Sequence, residues 1–300
     1  MNRKIVEYLK MNEVEYKERF SLAKLSSVRI GGEAEILAFP DNIRKLVFLV
    51  TFLEKTKIKH KITGRMTNIL FSDDKYNGVI IRTDRISDYQ IDNCVLSVSC
   101  GSSIPYLASV LCKRGLSGFE KISGIPGAVA GAIIGKAGAF GMDISSCLTT
   151  VTFFDYDTGE VITLDRKNLD FSYRTSAFKK MKTAVLSASF LLTPSDCLSV
   201  KAEMDKYKKI RKDTQPVGIP SLGSSFKRPG ESIYAAKLID ECGLKGHIIG
   251  GAQISDKHAG FIVNRGNATA NDYINLSEYV KKCVYDRFGI LLENEVEFVK

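Results

Sequence analysis

One segment of the chain, residues 123–141, is unusually rich in glycine and poor in polar side chains. It reads Ser-Gly-Ile-Pro-Gly-Ala-Val-Ala-Gly-Ala-Ile-Ile-Gly-Lys-Ala-Gly-Ala-Phe-Gly. Glycine loses the most conformational freedom on folding, so it is retained where φ is positive or where another group approaches the main chain closely. The segment is therefore either a series of tight turns between core elements or a surface of peptide N–H groups that binds the phosphate of a cofactor.

The length and composition of the chain are those of an ordinary globular protein. Its 300 residues favour two domains and are enough to bury sizeable cores. No apolar run approaches the roughly 18 residues that a membrane span needs, and the first residues lack the apolar region of a signal peptide. We therefore expect a soluble, cytoplasmic protein with no membrane partner.

The cysteines and the net charge limit the possible ligands. Seven scattered cysteines without a Cys-x-x-Cys pair argue against a disulfide framework and a zinc site, and three isolated histidines make a catalytic metal unexpected. A formal charge of +9 suits nucleic acid, an anionic membrane or a nucleotide substrate equally. The most basic stretch, residues 201–212, has almost none of the aromatic residues that bind nucleic acid bases, which favours a solvated helix face.

Apolar periodicity predicts mixed helices and strands over the whole chain. In the first hundred residues we expect a helix over 1–11, strands over 34–39, 58–63 and 79–82, and a helix over 42–54 capped by Asp41. Further on we expect a strand over 94–100, a helix from Ser103 to about Gly115, a hairpin of 149–155 and 160–164, and a strand over 184–192. The last third should contain a long basic helix beginning at Thr193-Pro194, helices over 234–242 and 271–288, and a final strand over 291–299. This order indicates the α+β class and not a doubly wound sheet.

The common phosphate-binding motifs are absent from the sequence. Residues 131–136 fall one residue short of a Walker A loop, and Ala137 follows Lys136 where Ser or Thr should bind magnesium. No Gly-x-Gly-x-x-Gly opens a helix after a strand, so a Rossmann site is unsupported.

Three polar residues lie in settings that each allow a structural explanation. Ser224 follows a glycine and fits a turn, and Arg174 follows a strand-like run and fits a surface ion pair. Glu295 alternates with apolar residues and fits the solvent-facing side of an edge strand. Taken singly, none of the three indicates catalysis.

Taken together, however, the motifs of nearly the whole chain resemble the UDP-N-acetylenolpyruvoylglucosamine reductase family. The matching segments are Arg29–Gly32, 64–70, 124–127 with 138–141, Tyr173-Arg174, Gln215-Pro216, 223–229, 243–246, 250–252, 257–259 and 293–296. Each motif alone is weak, but their order and spacing are specific. The chain departs from the family pattern at Met66, where a glycine is usual, and at Lys136 and Phe140, where Asn and Tyr are usual.

The resemblance implies a fold and a division into domains. Residues 1–195 would form an FAD-binding portion of the vanillyl-alcohol-oxidase (PCMH) type, with α+β lobes over about 1–86 and 87–195. Residues 196–300 would form an α+β substrate-binding domain whose last strand returns to the flavin. The short passage 178–215 resembles the subclass that lacks an extra substrate-covering loop.

The resemblance also implies an activity and its residues. The chain would be a flavoprotein oxidoreductase that reduces the enolpyruvyl group of UDP-N-acetylglucosamine-enolpyruvate to UDP-N-acetylmuramate, with non-covalent FAD and with NADPH as co-substrate. Peptidoglycan synthesis, and with it cell wall growth, cell shape and division, would depend on it. The implied catalytic residues are Arg174, Ser224 and Glu295. The implied FAD contacts are Gly64, Arg65, Met66, Thr67, Asn68, Ile69, Ser123, Gly124, Ile125, Pro126, Gly127, Gly131, Gly138 and Arg211. The implied substrate contacts are Lys227, Arg228, Lys245 and His258.

Three other functions remain open at this level. The first is another flavin-dependent oxidoreductase of the same superfold; such enzymes often hold FAD covalently through histidine or cysteine, and His60 is the only histidine before the C-terminal portion. The second is an inactive homologue. The third is a basic nucleic-acid-binding protein, which would show steeply salt-dependent affinity and no flavin spectrum. We expect a monomer with no nucleic-acid partner.

Overall fold

The computed structural model describes residues 2–300, which form two compact units. The first contains the described residues up to Glu18, Ile36–Arg65 and Gly78–Lys209, and the second contains Arg19–Glu35, Met66–Asn77 and Ile210–Lys300. The chain therefore passes between the units several times, and the second unit is assembled from three separate segments. The domain limits at 195 and 196 stay a prediction.

The described residues form seven α-helices and nineteen strands. The helices are α1 (Asn2–Met11), α2 (Ile43–Lys55), α3 (Ile104–Lys113), α4 (Val129–Ile134), α5 (Cys197–Thr214), α6 (Ala235–Glu241) and α7 (Ala270–Phe288). The first ten strands are β1 (Glu15–Ser21), β2 (Glu33–Phe39), β3 (His60–Thr63), β4 (Ile69–Phe71), β5 (Tyr76–Arg82), β6 (Tyr89–Asp92), β7 (Val95–Ser99), β8 (Leu116–Ser117), β9 (Gly138–Ala139) and β10 (Met142–Asp143). The others are β11 (Leu148–Asp155), β12 (Val161–Asp165), β13 (Thr183–Leu191), β14 (Thr193–Pro194), β15 (Ser221–Ser224), β16 (Ile248–Ile249), β17 (Ala252–Ile254), β18 (Phe261–Asn264) and β19 (Glu297–Val299). This mixture confirms the α+β class.

The first unit contains a five-stranded sheet in the order β12-β11-β13-β7-β6 and most of a four-stranded sheet in the order β1-β2-β5-β3. The pairs of the larger sheet are antiparallel, whereas β3 and β5 run parallel. Two apolar clusters form its core. One joins the larger sheet to α3 and α4, and the other joins the smaller sheet to α1 and α2. Gly64 follows β3 directly, so the parallel pair carries the first predicted cofactor residue at its C-terminal end.

The second unit is built on a four-stranded antiparallel sheet in the order β15-β18-β17-β16. Helices α6 and α7 share one apolar cluster with this sheet, and Tyr273 of α7 is fully buried in it. Local signals set both ends of α7. Thr269 and Asp272 form a capping box at its start, and Gly289 ends it in the left-handed conformation at φ 66°.

Several sequence predictions need correction at the ends of elements. Asn42 and not Asp41 caps α2, because the Asn42 side chain accepts the N–H of Lys45. The long basic helix begins at Cys197, since Thr193 and Pro194 instead pair with β8. The predicted helix over 1–11 is confirmed as α1 from Asn2 onward, and Met1 lies outside the described residues.

The prediction of a continuous final strand over 291–299 is wrong. Only Glu297–Val299 form a strand, which pairs in parallel with β4. Residue Asn294 makes a single antiparallel bridge to Phe226 instead. Within the described part of the chain, no helix is long and apolar enough to span a bilayer.

Candidate functional site

In the first unit, Arg174 lies at the corner of a tight turn. The N–H and C=O groups of Ser172 and Thr175 bond to each other at 3.2 Å, so Tyr173 and Arg174 form a two-residue connection. Arg174 has a left-handed backbone at φ 55°, which is uncommon for a residue other than glycine and costs conformational energy. The turn thus fixes the direction of a half-buried guanidinium.

The Arg174 guanidinium points at the glycine-rich segment. One Nη lies 3.4 Å from the carbonyl oxygen of Lys136, and the other lies 3.4 Å from that of Gly138. The Arg174 carbonyl in turn accepts a bond of 2.7 Å from the Lys179 ammonium. The structure therefore places the predicted catalytic cation against the predicted cofactor wall, a relationship that the sequence pattern alone did not reveal.

The end of the glycine-rich segment is a small hairpin. Strands β9 and β10 pair through Ala139 with Met142, and Phe140 and Gly141 form the turn with φ 54° and 77°. Two positive φ values in succession are typical of a type I′ connection. The ring of Phe140 lies 4.8 Å from that of Tyr207 on α5, which packs the hairpin on that helix.

Lys136 precedes this hairpin in a left-handed conformation at φ 43°. Asparagine, which the family favours here, tolerates that conformation better than lysine. The Lys136 ammonium lies 3.6 Å from the Asp143 carboxylate, so an ion pair bridges the base of the hairpin. The side chain is thus directed to Asp143, while its main-chain carbonyl contacts Arg174.

Gly138 and Gly131, both predicted cofactor residues, differ in how closely the protein packs around them. A Cβ on Gly138 would lie 2.6 Å from the carbonyl oxygen of Met142, so the pairing of the hairpin excludes a side chain there. A Cβ on Gly131 would meet no heavy atom within 4 Å, although α4 buries Val129 and Ile133 beside it. Protein packing therefore explains Gly138 but leaves room at Gly131 for a group from outside the protein.

The start of the glycine-rich segment lies close to β3. A Cβ on Gly64 would approach the Cβ of Ala128 to 3.0 Å, so the two backbones are in near contact. The buried Ser123 hydroxyl donates to the carbonyl of Glu120 at 2.6 Å. Between Ser123 and Ala128, the loop of Gly124, Ile125, Pro126 and Gly127 folds on itself through a bond from the Gly127 N–H to the Ile125 carbonyl at 2.8 Å. Arg65 follows Gly64 and is exposed.

The other predicted cofactor residues, Met66 to Ile69, belong to the second unit. Met66 takes up the left-handed conformation at φ 50°, which explains why the family favours glycine at this position. Its side chain is only 2% exposed, so it is buried in the protein and does not project from the loop into solvent. Thr67 is half-buried and Asn68 is exposed, while Ile69 begins β4.

The structure places Ser224 and Glu295 on neighbouring segments of the chain. Residues 225–227 run antiparallel to residues 293–295, and the Glu295 N–H donates to the Ser225 carbonyl at 2.9 Å. Ser224 ends β15, and its half-buried hydroxyl donates to the Phe226 carbonyl at 3.3 Å. The two segments are far apart in the sequence, so the local alternation of residues around Glu295 could not predict that they pair.

Asn68 joins the same group of residues. Its side-chain amide donates to the Glu295 carbonyl at 3.0 Å, and its own carbonyl accepts the Glu297 N–H at 3.0 Å. The second unit therefore gathers one predicted cofactor residue, Asn68, and two predicted catalytic residues in one place.

Two predicted substrate cations follow Ser224 along the chain. The Lys227 ammonium lies 2.8 Å from the Glu293 carboxylate, and this bond lowers the pKa of Glu293. The Arg228 guanidinium lies 5.1 Å from the centroid of the Tyr234 ring. Both side chains remain near the surface, where an anion can reach them.

The other substrate and cofactor cations have distinct surroundings. The Lys245 ammonium pairs with Asp240 at 2.6 Å. Burial is the main cause that lowers the pKa of His258, with a smaller contribution from the positive charge of Lys245, and its Nδ1 accepts the Gly260 N–H at 3.1 Å. Burial also lowers the pKa of Arg211, which donates to Gln215 at 3.0 Å. His258 is therefore a neutral hydrogen-bonding group near pH 7, not a cation.

Sequence reasoning missed the residues that hold Ser224 in place. The neighbouring Ser225 is 1% exposed, and its hydroxyl bonds to the Tyr273 hydroxyl at 2.9 Å and accepts the Ile262 N–H at 3.1 Å. Burial strongly raises the pKa of Tyr273, which keeps its hydroxyl protonated. The Ser-Ser dipeptide after Gly223 was the sequence signal that could have indicated these contacts, because a buried serine generally has a hydrogen-bonding partner.

In the first unit, open space adjoins Gly131 on α4, and the segment after α4 contacts the Arg174 guanidinium. Among residues 2–300 of the structure, no group of three metal-ligating side chains occurs. The first unit can supply glycine backbone and a fixed guanidinium, and the second unit can supply a serine hydroxyl and a carboxyl group.

Comparisons with known proteins identify both parts of the chain. The family model for the C-terminal domain of UDP-N-acetylenolpyruvoylglucosamine reductase matches residues 215–299, and an FAD binding domain model matches residues 34–165. The chain is 38% identical to the reductase of that name from Caldicellulosiruptor bescii, over 97% of this chain and 93% of that protein. It is 37% identical to the one from Lactiplantibacillus plantarum, over 95% and 94% respectively.

A solved structure agrees with these sequence matches. The crystal structure of UDP-N-acetylenolpyruvylglucosamine reductase from Thermus caldophilus superimposes with a TM-score of 0.81 and 28% identity, over 96% of this chain and 99% of that chain. The predicted fold, an FAD-binding portion followed by a substrate-binding domain, is thereby confirmed. The chain belongs to the UDP-N-acetylenolpyruvoylglucosamine reductase family.

Proposed function

We propose that this protein is a flavoenzyme that reduces the enolpyruvyl group of UDP-N-acetylglucosamine-enolpyruvate to the lactyl ether of UDP-N-acetylmuramate, with NADPH as reductant. The observation that carries the proposal is the group formed by Asn68, Ser224 and Glu295, because it joins the cofactor loop to two side chains of the family's catalytic motifs. Bound FAD would supply the two-electron redox chemistry that links NADPH to the vinyl group of the substrate.

The protein's own residues handle charge and protons. Hydride addition at the terminal carbon moves negative charge toward the substrate carboxylate, which requires donors already in place. Arg174 supplies a fixed cation for that carboxylate, because its turn and the carbonyls of Lys136 and Gly138 hold the guanidinium. Glu295, anchored through its main chain, would assist in its protonated form as a hydrogen-bond donor to the developing charge.

Ser224 delivers the proton that completes the reduction at the carbon next to the carboxylate. Among the described residues its hydroxyl has a single hydrogen bond, a long one of 3.3 Å to a main-chain carbonyl, so it can turn toward a substrate at small cost. Lys227 and Arg228, three and four residues after Ser224, offer cations to the diphosphate of the substrate. Lys245 adds a third cation, and His258 a neutral hydrogen bond.

The cofactor residues act through their backbone. Gly64, Ser123 to Gly127 and Gly131 would hold FAD in the first unit, and Met66 to Ile69 would do so in the second. Gly138 also belongs to this wall, although the hairpin already requires a glycine there. Arg211 would pair with a phosphate of the cofactor.

A spectrum followed by one titration tests the function. The purified protein should carry a flavin spectrum, NADPH should bleach it without oxygen, and UDP-N-acetylglucosamine-enolpyruvate should restore it with one equivalent of UDP-N-acetylmuramate formed. A flavin that is reduced by NADPH but not reoxidised by this substrate would argue for another oxidoreductase of the same superfold. A protein without flavin that binds nucleic acid would contradict the proposal altogether.

The cellular setting is part of the same proposal. The product is a peptidoglycan precursor, so the enzyme would support cell wall growth and thereby cell shape and division. We expect it to act in the cytoplasm as a monomer, and sedimentation velocity at micromolar concentration measures that state directly.

A further inference from the structure

Two cysteines of the first unit lie against each other's main chain. Cys112 is in the last turn of α3, and Cys197 is the first residue of α5. The Cys112 Sγ lies 3.7 Å from the Cys197 carbonyl oxygen, and the Cys197 Sγ lies 3.5 Å from the carbonyl oxygen of Lys113. Each thiol therefore reaches the segment that carries the other one, although the two are far apart in sequence.

A short backbone ladder fixes the two segments beside each other. Strands β8 and β14 pair through Leu116 with Pro194, and the Ser195 N–H donates to the Gly115 carbonyl at 2.7 Å. The approach is so close that a Cβ on Gly115 would lie 2.7 Å from the Ser195 carbonyl oxygen. The ladder therefore holds the last turn of α3 beside the first turn of α5, where the two cysteines lie.

Access and charge favour reaction at this pair. Cys197 is exposed, whereas Cys112 is half-buried. The ammonium of Lys201, one turn into α5, lies within electrostatic reach of Cys112. Asp205 is the main cause that raises the pKa of Lys201, and the Cys112 sulfur acts in the same direction. Cys197 is therefore the more accessible thiol of the pair, and a cation lies near its partner.

The remaining cysteines are less suited to reaction. Burial raises the pKa of Cys100 and of Cys147 to about 12, so both stay as thiols near neutral pH. In the second unit the Cys242 Sγ lies 3.7 Å from the Cys283 carbonyl oxygen, but both residues are partly buried and burial raises the pKa of Cys242. This second pair is the natural internal comparison.

We propose that Cys112 and Cys197 form a thiol–disulfide modification site that a low-molecular-weight disulfide, such as glutathione disulfide, converts into an intramolecular disulfide. The Cys197 thiolate attacks one sulfur of the small disulfide, forms a mixed disulfide and releases one small thiol. The Cys112 thiolate then attacks the Cys197 sulfur and releases the second small thiol. Two protein thiols are oxidised while one small disulfide is reduced to two thiols, so the exchange balances.

The new bond would join the end of α3 to the start of α5. It would close a long loop in the unfolded chain, which restricts that state and raises the stability of the native one. We expect the midpoint of thermal unfolding to rise by about 5–10 °C on oxidation.

The experiment uses the full-length protein with its flavin, first reduced and desalted, then exposed to glutathione disulfide at neutral pH. Thiol titration should fall from seven groups to five, the intact mass should decrease by two hydrogens, and peptide mapping should find Cys112 linked to Cys197. Cys112→Ser should stop at the mixed disulfide and carry one glutathione on Cys197. Cys242→Ser is the matched control and should still form the link.

Three results would overturn the inference. The first is a link that maps to Cys242 and Cys283. The second is wild-type protein that accumulates only mixed disulfides, and the third is a Cys197→Ser variant that loses thiols as fast as the wild type. Because mapping on the wild type is decisive by itself, poor folding of a variant does not obscure the answer.

Discussion

The side-chain amide of Asn68 donates a hydrogen bond to the main-chain carbonyl of Glu295, and the same residue's carbonyl accepts the N–H of Glu297. Asn68 thus bonds to the two residues that flank Val296. The cofactor loop and the chain that carries the carboxyl group of the site are therefore held as one piece within the second unit.

Replacing Asn68 should loosen this connection. Asn68→Ala removes one hydrogen bond, which contributes about 1 kcal/mol, and leaves the main-chain bond from Glu297 in place. We expect kcat for reduction of the enolpyruvyl substrate to fall about fivefold to tenfold, as measured by steady-state NADPH oxidation. Asn271→Ala, an exposed asparagine on α7, is the control and should keep the wild-type rate. An unchanged kcat in Asn68→Ala would show that the bond has no part in positioning Glu295.

Ser224→Ala should separate the two half-reactions. Flavin reduction by NADPH needs no proton from this hydroxyl, whereas reduction of the substrate does, so only reoxidation should slow, by about a hundredfold or more. Stopped-flow absorbance of the flavin measures both steps. Ser221→Ala, on the same strand β15, should leave both rates unchanged. If the Ser224 variant is reoxidised at the normal rate, the proton comes from another group.

The effect of replacing Ser225 on the free energy of unfolding should depend on whether the Tyr273 hydroxyl is present. Ser225→Ala leaves the buried Tyr273 hydroxyl without its bond of 2.9 Å, which should lower the free energy of unfolding by about 1–3 kcal/mol. Adding Tyr273→Phe removes the stranded hydroxyl, so the double variant should lose less than the sum of the single losses. Urea unfolding of the four proteins gives this coupling directly. Additive losses would mean that the two hydroxyls do not interact.

Two glycine substitutions should have opposite consequences. Gly131→Ala meets open space and lies in α4, so the protein without flavin should keep its stability or gain about 1 kcal/mol, while its affinity for FAD should fall. Gly138→Ala would place a Cβ 2.6 Å from the Met142 carbonyl and should destabilise the flavin-free protein itself. Thermal unfolding and fluorescence titration with FAD distinguish the two. Normal FAD affinity in Gly131→Ala would place the cofactor elsewhere.

The free energy of unfolding should fall in mild acid because of His258. Its pKa in the folded protein lies below the ordinary 6.5 mainly because of burial, so between that lowered value and 6.5 the unfolded state binds more protons. The contribution of the neutral imidazole is complete above pH 6.5 and is lost as the pH falls through this window. His258→Asn should flatten this part of the curve of unfolding free energy against pH, as measured by urea unfolding at a series of pH values. A slope equal to that of the wild type would contradict this assignment.

Local signals explain most of the elements that the sequence predicted well. The prediction for α7 agrees within one residue because Gly289 marks its end and the apolar spacing marks its buried face. The hairpin of β11 and β12 was found because Asp157, Thr158 and Gly159 form a strong turn. Strands β1 and β6 were missed because their apolar patterns are weak: most residues of both strands are exposed or half-buried polar side chains.

The site itself could be predicted only through the family resemblance. Arg174 looked like a member of a surface ion pair, because the carbonyls that it contacts lie 36 and 38 residues away. The alternation around Glu295 favoured a strand, but only residues that find a partner in β4 form one. Sequence periodicity reports which side chains alternate, and it does not report which segment will supply the hydrogen bonds.

The parallel pairing of β19 with β4 also has a consequence for synthesis on the ribosome. Asn68 precedes Glu295 by 227 residues, so it is synthesised long before its partners. Its bonds with Glu295 and Glu297 cannot form until residue 297 has left the ribosome. A nascent chain can fold much of its first unit before that point, but the group formed by Asn68, Ser224 and Glu295 is completed only afterwards.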